Sequence, residues 1–106
     1  MFDGKYVYFV PRTNEAVLHG LAARYDTTAP FGTSTSWTIF DITTLNAVAR
    51  GFQGAVFDGR YVYYVPFLNA ASCGLVARYD TKGAFNASGS WTFYDITAVN
   101  ANAKQF

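Results

Sequence analysis

His19 and Cys73 are the only histidine and the only cysteine in the chain, and each stands directly before a glycine. Both residue types ligate metals and take part in nucleophilic catalysis, so chemistry is sought there first. They occupy equivalent positions in two similar halves of the sequence, however. A repeating fold therefore holds them apart, and they read as ordinary loop positions. Ser72-Cys73-Gly74 also lacks the strand-to-helix setting of a nucleophile elbow. Twelve of the fifteen charged residues recur in the same way: Asp3/Asp58, Lys5/Arg60, Arg24/Arg78, Asp26/Asp80, Asp41/Asp95 and Arg50/Lys104. A catalytic constellation brings different groups to one point, whereas charges that recur once per repeat terminate strands, satisfy turns or pair between neighbouring sheets. With Glu15 the only glutamate, there is no glutamate pair for acid–base work, and no phosphate loop or HExxH pattern occurs. One cysteine forms no intramolecular disulfide, and no Cys/His cluster supplies four zinc ligands. No cofactor or metal is expected. Trp37 and Trp91 could stack on a sugar, but a tryptophan repeated at a strand start reads first as packing. Asn86-Ala87-Ser88 is a glycosylation sequon whose counterpart Gly32-Thr33-Ser34 is not, so the match reads as chance.

The elements that position these residues come as two copies of one unit. FDGKYVYFVP from Phe2 recurs as FDGRYVYYVP from Phe57, GLAARYDT from Gly20 as GLVARYDT from Gly74, and SWTIFDIT from Ser36 as SWTFYDIT from Ser90. Glu15 is a one-residue insertion in the first copy, and about 29 of roughly 50 aligned positions are identical. Such near-identity marks a recent duplication or a designed repeat. The division falls at residues 1–52 and 53–106. Each unit reads as four strands. In the second, these are Phe52 to Phe57, Tyr61 to Pro66, Leu75 to Asp80 and Trp91 to Ile96. The third and fourth have counterparts at Leu21 to Asp26 and Trp37 to Ile42. Asp58-Gly59 between two apolar runs is a hairpin signal calling for positive φ at both turn positions, and Pro66 ends its strand by removing a donor.

Composition narrows the class. Half the residues are hydrophobic and 14% are charged, so the chain folds around a packed interior. Aromatics at 19%, spread among β-branched residues, favour strands over helices. Eight Lys and Arg against seven Asp and Glu leave a net charge of +1, without the basic stripe that binds phosphates, so no nucleic-acid partner is expected. No apolar run approaches the roughly 18 residues that cross a bilayer, and Met1-Phe2-Asp3-Gly4 shows no signal-peptide pattern. The expectation is a soluble chain with no membrane partner and no indicated compartment.

The runs Tyr6-Val7-Tyr8-Phe9-Val10 and Tyr61-Val62-Tyr63-Tyr64-Val65 do not alternate apolar with polar, which predicts sheets buried on both faces. Four antiparallel strands covered on both sides fit a propeller blade between neighbouring blades, with an eight-stranded sandwich or barrel as the rival. The order GAVFDGRYVYYVP, ARYDT, loop, SWTFYDI resembles a kelch-type blade over nearly the whole chain, twice. It departs where kelch repeats carry a Gly-Gly pair, since this chain has Val10-Pro11 and Val65-Pro66. The resemblance implies an all-β fold of two four-stranded antiparallel propeller blades per chain. It carries over no functional residue. Two blades leave two aromatic faces in water, so homo-oligomerisation to a six- or eight-bladed ring, a cyclic homotrimer or homotetramer, is expected. Phe106 aligns with Phe52 and Met1 with Val56, so the chain ends are expected to share an innermost strand, about three residues short. The architecture is also similar to small two-repeat propeller lectins.

The function expected is therefore a non-enzymatic, self-assembling propeller scaffold or binding module. A multivalent carbohydrate-binding lectin is the alternative, and an enzyme on a kelch-like ring a second one. Any ligand site is placed on the loops Arg12 to Gly20, Phe67 to Gly74, Thr43 to Gly51 and Thr97 to Lys104, opposite the tight Asp-Gly turns. Its polar candidates are Arg12, Asn14, Asn46, Arg50, Asn69 and Asn100.

Overall fold

The computed structural model describes residues 1–68 and 73–106. The chain is all-β and antiparallel. The second repeat forms a four-stranded sheet, β6 (Phe52–Phe57), β7 (Tyr61–Pro66), β8 (Leu75–Asp80) and β9 (Trp91–Asp95), paired in chain order. The first forms a three-stranded sheet of β1 (Tyr6–Phe9), β4 (Leu21–Asp26) and β5 (Trp37–Asp41), with a short hairpin of β2 (Thr13–Asn14) and β3 (Val17–Leu18) between β1 and β4. Registers match across the repeats: Tyr8 faces Arg24 as Tyr63 faces Arg78, and Tyr25 faces Trp37 as Tyr79 faces Trp91. β6 begins at Phe52. No helix among the described residues is long and apolar enough to cross a membrane.

Four strands per repeat hold only in the second. On the outer edge of β1 the chain supplies just Met1 and Phe2. Phe2 bridges Val7, and Met1 exchanges two hydrogen bonds with Tyr8, of 3.2 and 2.7 Å. These are the places that Val56 and Phe57 take opposite Tyr63 and Val62 in β6. Two residues are too few for a ladder.

The tight turns also differ from expectation. Asp58 N–H donates to the Tyr61 carbonyl at 3.1 Å, so the central residues are Gly59 and Arg60, and only Gly59 has positive φ, at 104°. The Asp58 carboxylate fixes this geometry by accepting from the backbone N–H groups of Arg60 (2.9 Å) and Tyr61 (2.7 Å). Asp3 repeats the arrangement with Lys5 and Tyr6. The fourth strand of each repeat ends one residue early, because Asp41 and Asp95 cap a short 3₁₀ turn through the N–H of Thr43 and of Thr97. The crossover into β6 passes through Gly51, at φ 71°, where an added Cβ would lie 1.6 Å from the Leu68 carbonyl oxygen. Only glycine fits there.

The core lies between the two sheets. The first sheet contributes Tyr8, Ala22 and the loop residue Ile42, and the second contributes Val62, Tyr64, Ala77, Tyr79 and Trp91 with the loop residue Phe85. Burial strictly alternates along Tyr61–Pro66. Within one chain each sheet buries the face turned toward the other, because a pair of sheets has only one contact between them. Trp91 Nε1 donates to the Phe85 carbonyl at 2.7 Å, and its ring packs within 5.1–5.5 Å of Tyr64, Tyr79 and Phe85. Tyr64 is fully buried, and its Oη has no hydrogen-bond partner among the described residues. At the equivalent position the first repeat carries Phe9. Trp91→Ala is expected to lower the unfolding free energy by about 3–5 kcal/mol, whereas Tyr64→Phe should raise it by about 1 kcal/mol by removing an unsatisfied hydroxyl; urea titrations of both variants against the parent chain check the two signs.

Candidate functional site

At the loop end of the first sheet, Leu18, His19, Leu21, Asp41, Thr43 and Arg50 line a cleft of about 340 Å³. The cleft forms because the β3–β4 connection and the segment after β5 fold together: Gly20 accepts from Ile42 N–H at 2.9 Å, and His19 accepts from Gly51 N–H at 3.3 Å. His19 Nδ1 accepts from Leu21 N–H at 3.1 Å, which places the proton of a neutral ring on Nε2. Asp41 Oδ1 is committed to the N–H and hydroxyl of Thr43, leaving Oδ2 as an acceptor. Arg50 Nε is buried without a partner among the described residues. Donors and an acceptor thus line an open recess with apolar walls, a chemistry suited to a polar hydroxylated ligand.

Of the described residues expected to bind a ligand, only Arg50 lines this cleft. The Arg12 guanidinium stacks 5.0 Å from the ring centre of Phe67. Asn14 pairs with Val17 across the β2–β3 hairpin, exposed. Asn46 and Asn100 use their side-chain oxygens to close turns, accepting from Val48 N–H at 3.1 Å and Asn102 N–H at 2.9 Å. Asn69 lies outside the described residues. His19 and Thr43 fall within the loops on which a site was placed, though not among its named candidates, and Asp41 stands just before one of them; their position on the same loop end as Arg50 is the signal that would have found them. Cys73 is buried, and among the described residues no three His, Cys, Asp or Glu side chains gather to hold a metal.

A second candidate is the packing surface itself. Along the first sheet Tyr6, Tyr8, Arg24 and Phe40 point toward the second sheet, while Phe9, Tyr25, Trp37 and Ile39 point away. Along the second, Tyr64, Tyr79 and Trp91 point inward and Tyr61, Tyr63, Arg78 and Tyr94 outward. Arg24 crosses the interface: its guanidinium lies 3.8 Å from the Tyr6 ring centre and 4.9 Å from that of Phe85, and Nη1 donates to Tyr79 Oη at 3.1 Å. Tyr8 Oη donates to Asp3 Oδ2 at 2.7 Å, and burial together with this bond holds the Tyr8 phenol far above its usual range. On the outward face of the second sheet, Tyr63, Val76, Arg78, Thr92 and Tyr94 line an open groove.

The recurring charges elsewhere act locally. Arg60 grips Asp80 with two hydrogen bonds, Nε to Oδ1 at 3.1 Å and Nη2 to Oδ2 at 2.8 Å. The first-repeat equivalents, Lys5 and Asp26, stand 4.0 Å apart. An ammonium lacks the planar fork that makes the bidentate pair.

No protein-family model matches the chain, and no curated protein or solved structure matches it.

The Arg60 hydrogen bonds, helped by Lys82 N–H, lower the Asp80 pKa to about 2 from its ordinary 3.8. Backbone N–H groups of Tyr61 and Arg60 lower that of Asp58 in the same direction. A depressed carboxyl contributes stability at pH values above its unfolded pKa and loses it as pH falls through the folded one. The urea midpoint should therefore hold above about pH 4 and fall toward pH 2, and Asp80→Asn should show a smaller fall over the same interval.

Proposed function

We propose that the chain is a non-enzymatic, self-assembling β-propeller module of kelch-like architecture, in which the two sheets are blades and several chains close into one ring. The observation that supports it is the pair of uncovered apolar faces. Phe9 and Ile39 with the loop residue Phe31 on one side, and Tyr94 on the other, are 46–64% exposed, although the same sheets bury the core on their other faces. Aromatic faces of that kind mark interaction surfaces. Two different open faces on one chain favour head-to-tail contacts, which close when the rotation per chain divides a full turn. The ring reading gives a cyclic trimer with six blades or a tetramer with eight. Light scattering at micromolar concentration should return three or four times the 11.7 kDa chain mass, and a mass of one chain overturns the reading.

A second reading, carbohydrate binding with one weak site per chain strengthened by multivalency, is favoured by the His19–Arg50 cleft alone. A glycan array should then show binding that Arg50→Ala abolishes while the assembly mass stays unchanged; absence of any bound glycan removes this reading.

A further inference from the structure

Each half of the interface between the two sheets is built twice, once buried inside the chain and once open to solvent. The buried half on the second sheet is the cluster of Tyr79, Phe85 and Trp91, with ring centres 5.1 to 5.4 Å apart. Its open counterpart on the first sheet is Tyr25, Phe31 and Trp37, with separations of 4.9 to 5.3 Å. The supporting bonds recur too. Trp37 Nε1 donates to the Phe31 carbonyl at 2.9 Å, as Trp91 does to Phe85, and Tyr25 Oη donates to the Ala29 carbonyl at 2.7 Å, as Tyr79 Oη does to Gly83 at 2.6 Å.

The other half recurs as closely. Arg24 stacks on Tyr6 at 3.8 Å in the interface, and Arg78 stacks on Tyr61 at 4.2 Å in the open. Tyr8 is tethered to Asp3, and Tyr63 to Asp58 by a 2.8 Å bond. Both open halves already hold the geometry that their buried equivalents use, so docking demands little rearrangement, and preorganised surfaces lose least on association. Where the faces differ in sequence, Ala22/Val76 exchanges aliphatics, Phe40/Tyr94 and Phe9/Tyr64 exchange aromatics, and Ile39/Phe93 exchanges an aliphatic for an aromatic, so no charge enters.

We infer that a second copy of this chain docks with its Tyr25–Phe31–Trp37 face on the Tyr61–Arg78–Tyr94 face of the first. Arg78 then takes the role that Arg24 plays within the chain: its guanidinium lies between its own Tyr61 and Phe31 of the second copy, and donates to Tyr25 Oη of that copy. That oxygen spends its proton on Ala29 and keeps its lone pairs, as Tyr79 Oη does when it accepts from Arg24. The two faces are different surfaces, so the contact is heterologous and cannot pair two copies symmetrically. This inference rests on the self-assembly reading and specifies its contact.

Two variants that each spoil one face test it. Phe31→Asp places a charge on the first-sheet face at a residue already 60% exposed, and Arg78→Glu reverses the charge on the second-sheet face. Circular dichroism confirms the fold of each, and Tyr94→Asp replaces Arg78→Glu should that variant unfold. Alone, each should sediment as a single chain. Mixed, they should form a one-to-one complex of two chains and nothing larger, because each retains the face the other needs. Sedimentation equilibrium is run at high concentration, since one contact lacks the multivalent reinforcement of a closed ring. If the parent chain assembles but the mixture stays monomeric, or either variant alone assembles like the parent, the inferred contact is wrong and self-assembly stands on another surface. A parent chain that is monomeric throughout overturns both.

Discussion

Arg24 is a cation carried between two sheets of aromatic side chains, and the contact between the sheets is organised around its stacking and its bond to Tyr79, while its Nε is buried without a partner among the described residues. A guanidinium tolerates such a place because it is planar, weakly hydrated and able to stack while donating sideways. Tyr6 supplies one ring, Phe85 another, and Tyr79 an acceptor whose own proton is turned away to Gly83. Each partner comes from a different element. The stack therefore ties β1, β4, β8 and the loop before β9 into a single arrangement that none of them could hold alone. Nonpolar packing supplies most of the cohesion, but it is non-directional. The guanidinium sets which ring faces which.

The remaining polar groups of the repeat serve to free the aromatics for this contact. Asp3 and Asp58 draw the turn N–H groups and a tyrosine hydroxyl to themselves, so Tyr8 enters the core with its polar end tethered. Not every group is paired. Among the described residues the Tyr64 hydroxyl is buried without a partner, as are Arg24 Nε and Arg50 Nε, and desolvation pushes the Tyr64 phenol to higher pKa; a phenylalanine, as the first repeat carries, would remove that cost.

Much of this was legible in the chain. The self-similarity, the strands Phe52–Phe57, Tyr61–Pro66 and Leu75–Asp80, and the structural role of the repeated aspartates could all be read directly, because β-branched and aromatic runs bounded by Asp-Gly and Pro are local signals. Burial of a sheet face is not local. Tyr61–Pro66 reads the same whether one face or both are covered, since an aromatic pointing to solvent looks like one pointing inward. The hairpin Thr13–Asn14/Val17–Leu18 was missed because two-residue strands carry no periodicity. In the cleft, Arg50 is the residue that the loop placement had also named. His19 was set aside because it matches Cys73 in the other repeat and so read as an ordinary loop position, whereas most of the residues around it, among them Leu21, Asp41 and Thr43, are the same in both repeats. Asn46 and Asn100 lie on the expected loops too, but an asparagine two residues before a turn N–H spends its oxygen on the backbone.

Gly51 has a wider effect than its size suggests. It lies beside the end of β7, where Leu68 N–H donates to its carbonyl at 3.0 Å and the Leu68 carbonyl fills the space where a side chain would begin. The entry into β6 is thereby a contact of backbone with backbone. Exchanges on the sheet faces, such as Ala22 for Val76 or Phe40 for Tyr94, leave that contact untouched, whereas any side chain at residue 51 must push the end of β7 away.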